Sequence, residues 1–204
     1  MGKKIICAIL SMVLVFTISI PALAAENKTL NTVPPLSQEE KVALNQWVSY
    51  SDDNMQYVIK SGAKSALSDE EYRVLSHYIT VTNSNISKAD FSTNEVFIVA
   101  PEEEFQYVNA RAYNEGVTKI EFHWWGASIY LSKTTIMTIG AGITIGGIWI
   151  PEGVVTKILA TVGVVIALCP GGIAFDYNYI AAGISNLVPG MSILFPAVSN
   201  IRWQ

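Results

Sequence analysis

The side chains with obvious chemical reach are few. His123 stands in the run Phe122-His123-Trp124-Trp125-Gly126, and the only other histidine, His77, is far away in sequence. A metal centre needs several converging donors, and none cluster around His123. The run Glu102-Glu103-Glu104 is acidic, but adjacent residues point in different directions and cannot all face one ion. It reads as a solvated helix start. Cys169 lies inside Val164-Val165-Ile166-Ala167-Leu168-Cys169, where a lone thiol behaves as a small buried hydrophobe. A hydrolase needs a nucleophile with a base, or a metal cluster. The chain has no G-x-S-x-G, so no catalytic, cofactor-binding or metal residue is assigned and no cofactor is expected. A net charge of −4 without a basic stripe argues against nucleic acid as a partner. The chemistry left is that of large apolar and aromatic side chains meeting core or lipid.

The aromatic residues sit on a strand pattern. Ile120, Phe122 and Trp124 alternate with Lys119, Glu121, His123 and Trp125, the period of a half-buried strand. Gly126 marks a bend, Ala127 to Leu131 resumes in extended form, and Ser132 can cap a helix from Lys133. Trp124 and Trp125 suit core packing or, because Trp favours the water–lipid boundary, interfacial anchoring. Thr134 to Pro151 then carries no charge and holds Gly140, Gly142, Gly146 and Gly147. Gly142 and Gly146 have the G-x-x-x-G spacing that lets helices approach closely. Each Gly costs about 1 kcal/mol relative to Ala in an exposed helix, so such a helix needs tight packing or an apolar medium. Trp149 lies near its end, and Pro151 with Glu152 suits the N-terminus of a second helix. That helix, Val154 to Cys169, is apolar apart from Lys157 and stops at Pro170-Gly171-Gly172. The expectation is an αα-hairpin, either inserted in lipid or buried as a core. Ile173 to Tyr179 reads as a strand pairing with 118–125, Ile180 to Val188 as a helix, and Ile201 to Gln204 as an edge strand.

The chain begins with a targeting pattern. Lys3 and Lys4 precede an apolar stretch, Ile5 to Ile20, and Pro21-Ala22-Leu23-Ala24-Ala25 supplies an A-x-A site with cleavage expected after Ala24. Cleavage removes Cys7 and leaves Cys169 alone, so no internal disulfide forms. Ala25 to Gly116 holds seven Lys/Arg against fourteen Asp/Glu, and Val117 to Gln204 holds four against three. That step suggests three segments: signal peptide 1–24, an acidic helical region 25–116 with a pro-region as one reading, and an apolar C-terminal domain 117–204. Ser37 with Glu39 and Glu40 opens a helix expected from Gln38 to Tyr50, a second is expected from Met55 to Lys64, and Ser68-x-x-Glu71 is a capping box for a third. Thr82 to Ser92 reads as a loop. Pro101 opens a further helix to Ala112, and Arg111 is the one basic cleavage point near the boundary.

The expected fold class is α+β: an N-terminal helical region followed by a β-α-α-β domain with an apolar Gly-rich helical hairpin. Phe122-His123-Trp124-Trp125-Gly126, Tyr130-Leu131-Ser132, the Gly-rich pair and Pro170-Gly171-Gly172 together resemble small secreted proteins of Gram-positive bacteria, some of them bacteriocin-like precursors. The resemblance spans Val117 to Gln204. It implies export from a Gram-positive cell and an antibacterial role, and it transfers no active-site residue. Two functions follow as expectations. One is a secreted, membrane-active bacteriocin-like precursor whose partner is the lipid membrane of a target cell. The other is a non-enzymatic secreted structural or interaction domain whose apolar hairpin is only its core.

Overall fold

Two capping boxes start the two well-formed helices of the acidic half. The computed structural model describes residue 33 and residues 35–103, 114–182 and 197–204. The signal segment, Arg111, and most of the helices expected at Pro101–Ala112 and Ile180–Val188 lie outside the described residues. Helix α1, Gln38–Asn45, begins where Ser37 Oγ accepts the Glu40 N–H at 3.2 Å and the Glu40 carboxylate accepts the Ser37 N–H at 2.7 Å. After the short α2, Ala63–Ala66, helix α3, Asp69–Ile86, repeats the device with Ser68 and Glu71. Each cap satisfies backbone donors that the helix cannot, typically worth about 1 kcal/mol.

The segment between α1 and α2 is a β-hairpin, not the expected helical continuation. Strands β1, Val48–Ser51, and β2, Gln56–Ile59, pair antiparallel across a turn in which Met55 takes a positive φ of 49°. Val-Ser-Tyr-Ser and Gln-Tyr-Val-Ile offer β-branched and aromatic side chains at strand spacing. The polar Asp52-Asp53-Asn54 supplies the turn.

The main sheet has five strands in the order β3-β4-β5-β8-β9: β3 Val96–Ile98, β4 Lys119–His123, β5 Gly126–Leu131, β8 Ile173–Tyr177 and β9 Val198–Trp203. The pair β3–β4 is parallel and the others are antiparallel. One face carries Ile120, Phe122, Ile129, Leu131, Ile173 and Phe175, all buried, and α3 packs against β4 with Leu75 and Tyr78 also buried. The fold is α+β, and residues 33–204 form one compact unit. The composition step at 116/117 falls inside it, because β3 from the acidic side pairs with β4 from the apolar side. The Tyr57 hydroxyl lies 2.8 Å from the Val99 carbonyl and 2.7 Å from that of Phe122. Strand β8 does pair into this sheet, but its partner is β5, with Ile129 opposite Phe175, not the preceding strand.

The helical hairpin is corrected most. Helix α4, Lys133–Met137, is capped by Ser132 as expected but ends after five residues. Next comes a β-hairpin, β6 Gly142–Ile145 and β7 Ile148–Pro151, in register Ile145↔Ile148 and Gly142↔Pro151. Gly146 and Gly147 form its two-residue turn with φ of 51° and 83°. A turn with positive φ at both central positions matches the twist of the flanking strands, and Gly-Gly adopts it without steric cost. Isoleucine alternation on either side, Ile143/Ile145 and Ile148/Ile150, then selects strand over helix. The second expected helix also exists only in part, as α5, Glu152–Thr161, with Pro151 as its N-cap.

Candidate functional site

The polar face of the five-stranded sheet gathers most of the chain's unusual chemistry. Alternate residues of a strand share a face, so the register brings Glu121, Ser128 and Asp176 into one row across β4, β5 and β8. Lys119, Tyr130 and Arg202 share the neighbouring row through Ala174. Hydrogen bonds join the rows. Lys119 pairs with Glu121. The Tyr130 hydroxyl donates to Glu121 Oε2 at 2.8 Å and accepts from Arg202 at 3.2 Å. Arg202 reaches Asp176 at 3.5 Å, and Asn200 donates to Asp176 Oδ2 at 3.2 Å. Ser128 Oγ donates to Asp176 Oδ1 at 2.8 Å and lies 3.0 Å from His123 Nε2. Burial, and then the adjacent Glu121 carboxylate, push the Tyr130 hydroxyl up to about 12.

His123, Ser128 and Asp176 are all buried. Their order does not activate the serine. A hydroxyl has one proton to give, and Ser128 gives it to Asp176, so its oxygen is left to accept from His123. A nucleophile requires the reverse, with histidine between serine and carboxylate. Histidine here is a buried donor in a structural network. Among the described residues, no three His, Cys, Asp or Glu side chains converge to hold a metal ion.

The two tryptophans close the β4–β5 turn from opposite sides. Trp124 is fully buried; its indole N–H donates to Asn45 Oδ1 at 2.9 Å, and its carbonyl accepts from Thr82 at 3.1 Å. Its ring meets Tyr78 edge-on, 6.4 Å between centroids. Trp125, also buried, stacks on His123 with centroids 4.7 Å apart, and the Lys41 ammonium sits 3.6 Å from its ring centroid. Both rings therefore tie α1 and α3 to the sheet, the packing alternative, and neither is placed as an interfacial anchor. The Trp125 indole N–H and the Tyr179 hydroxyl are buried without a hydrogen-bond partner among the described residues, and burial raises the Tyr179 pKa. A cleft of about 360 Å³ lies beside this region, lined by Leu36, Gln38, Lys41, Asp176, Ser199 and Asn200.

The other expected residues sit on the β6–β7 hairpin. A Cβ on Gly146 would overlap Val96 Cγ2, and one on Gly142 would overlap the Trp149 ring. The G-x-x-x-G pair therefore serves a turn and a ring contact, not helix apposition. The Gly146 carbonyl accepts the Asp90 N–H at 2.8 Å, fastening the hairpin tip to the acidic half. Trp149 is 57% exposed, and Pro151 ends β7. Cys169 is buried with its thiol against the Gly171 carbonyl at 2.9 Å, and burial raises its pKa. Sequence reasoning missed the roles of Ser128, Asp176, Tyr130 and Arg202. The available signal was strand parity, since each falls at a polar position of an alternating stretch. No protein-family model, curated protein or solved structure matches the chain.

Proposed function

We propose that the chain is an exported, non-enzymatic structural or interaction module whose apolar C-terminal half is core. The observation that carries this reading is the sharing of one sheet and core across residue 116. The parallel β3–β4 pairing, the Tyr57 bridge and the hairpin tip on Asp90 all join the two sides. An acidic half that contributes a strand and the principal covering helix is an integral part of the fold, which argues against a discarded leader. The test uses two proteins, 25–204 and 117–204. The longer one is expected to be soluble and to unfold in one cooperative transition; the shorter is expected to aggregate or remain unfolded. A monomeric, cooperatively folded 117–204 overturns the reading. Mass spectrometry of the exported protein checks cleavage after Ala24.

A second reading, the membrane-active bacteriocin-like precursor, draws support from the exposed apolar side chains Trp149, Val165 and Leu168. Among the described residues no helix is long and apolar enough to cross a membrane. On this reading the apolar half acts once it has separated from the acidic half. Dye release from vesicles by 117–204, with none by 25–204, is its expected signature.

A further inference from the structure

We infer that the cleft between α1 and strands β8 and β9 is a binding site for a neutral sugar, free or as the end of a glycan. The inference rests on the reading of the chain as an exported, folded interaction module and names what it binds. The cleft's volume of about 360 Å³ falls within the roughly 300–1,000 Å³ of small-molecule sites. Its wall is unusual in holding two nearly buried charges. Lys41 is 7% exposed and Asp176 is 8% exposed, although both residue types are seldom buried to this degree.

Both charges are held in place by the fold. The Lys41 ammonium rests on the Trp125 indole, which is itself stacked on His123. Asp176 accepts from Ser128 at 2.8 Å and from Asn200 at 3.2 Å. The β8–β9 register shifts between Ala174 and Asp176, and in that stretch of β9 Asn200 takes a φ of 50°. The bulged backbone thereby carries the Asn200 amide to the carboxylate. Polar groups fixed in this way bind at a smaller ordering cost.

The chemistry of the wall selects the ligand. Lys41 donates, Asp176 accepts, and Gln38, Ser199 and Asn200 can do both. A polar cleft is solvated, and a ligand that enters it must replace the hydrogen bonds of water in kind. Hydroxyl groups do so, since each gives one proton and accepts through its oxygen. Leu36 adds an apolar surface for the C–H face of a sugar ring. Charge argues against an ionic ligand. Lys41 and Arg202 stand against Asp176 and the exposed Glu39 and Glu40 of α1, so neither sign dominates. An anion drawn to Lys41 meets the Asp176 carboxylate. A cation drawn to Asp176 meets Lys41 and competes with Arg202, 3.5 Å from that carboxylate.

The test is an amide NMR titration of protein 25–204 with glucose, galactose and N-acetylglucosamine, and in parallel with glycine and inorganic phosphate. At least one sugar is expected to shift, saturably, the amides of Lys41, Ser199 and Asn200 and the Trp125 indole N–H, whose ring carries Lys41. Glycine and phosphate are expected to leave them unmoved. Lys41→Met keeps an apolar stem on the indole and removes the charged donor, and should weaken binding about tenfold. Asn200→Gly removes the amide and accepts the positive φ, and should weaken it several-fold. Both variants are checked for the native near-ultraviolet circular dichroism spectrum. Trp149→Ala, on the β6–β7 hairpin, should bind as the parent does. Folded protein whose cleft resonances respond to none of the sugars overturns the sugar site and leaves the module reading intact. Shifts by glycine or phosphate alone overturn it too, as does undiminished sugar binding by both Lys41→Met and Asn200→Gly. A collapsed amide spectrum before any sugar is added overturns the module reading instead, and the sugar site with it.

Discussion

Substituting Gly146 by Ala separates a hairpin from a helix by the sign of the effect. In a helix, Gly→Ala is stabilising by about 1 kcal/mol. In the turn of β6–β7, the residue needs a φ of 51°, which costs a side-chain-bearing residue about 1–2 kcal/mol. The new Cβ also overlaps Val96 Cγ2, and overpacking a filled core costs about 1–3 kcal/mol. The expected loss is about 2–5 kcal/mol. Urea unfolding of protein 25–204 measures it, as a lower midpoint at unchanged slope, since the surface exposed on unfolding stays the same. Val96→Ala removes the clashing methyl and leaves the backbone requirement untouched. In that background the Gly146→Ala penalty should shrink by roughly 1 kcal/mol or more, a coupling that neighbours show and distant residues do not. A neutral or stabilising Gly146→Ala refutes the turn, and a full penalty in both backgrounds refutes the contact with Val96.

The same unfolding assay reaches the polar face. Asp176→Ala withdraws the acceptor shared by Ser128, Asn200 and Arg202 and should cost about 1–3 kcal/mol, chiefly because the buried Ser128 hydroxyl loses its acceptor; a loss under about 0.5 kcal/mol would make the network ornamental. Trp124→Phe leaves Asn45 Oδ1 without its donor and should cost about 1–3 kcal/mol, with a changed near-ultraviolet circular dichroism band. Tyr130 has a folded pKa raised from 10 to about 12, so above pH 10 the unfolded chain loses this proton before the folded one. Its contribution is therefore full below pH 10 and is lost as the pH rises towards 12; Tyr130→Phe should flatten the fall in stability over that window, and an unchanged alkaline slope would contradict the assignment.

Local signals were readable where local physics decides. Ser37 and Ser68 announced their helices because a capping box is complete within four residues. Gly126 and Ser132 likewise marked the ends of β5. The loop expected over Thr82–Ser92 begins instead as helix, extending to Ile86. Asn83, a poor helix former, is held by Tyr57: its side chain accepts the Tyr57 N–H at 2.9 Å and donates to the Tyr57 carbonyl at 2.8 Å. No sequence window contains that pair. The β6–β7 hairpin was legible in principle, since Gly-Gly between alternating isoleucines is a hairpin signal, but Gly146 also completes, with Gly142, a helix-packing spacing. The polar row was not, because Ser128 and Asp176 are 48 residues apart and become neighbours only once the strand order places β8 beside β5.

That strand order also constrains any proteolytic release of the apolar half. Ile120, Phe122 and Trp124 have no exposed surface in the intact chain. Their cover includes α3, with Tyr78 against Trp124, and the pairing of β3 with β4. Cutting the backbone between these elements does not by itself separate them, because the interface is a domain interior and not a linker between domains. The fragments 25–116 and 117–204, refolded together from urea, are therefore expected to recover a single species with the near-ultraviolet spectrum of the intact protein. Either fragment alone should not. Trp124→Ala should lower the yield of the reassembled species more than Trp149→Ala, since Trp149 is 57% exposed and contributes little to the shared core. Fragments that separate freely and fold independently would restore the acidic half to the role of a detachable leader.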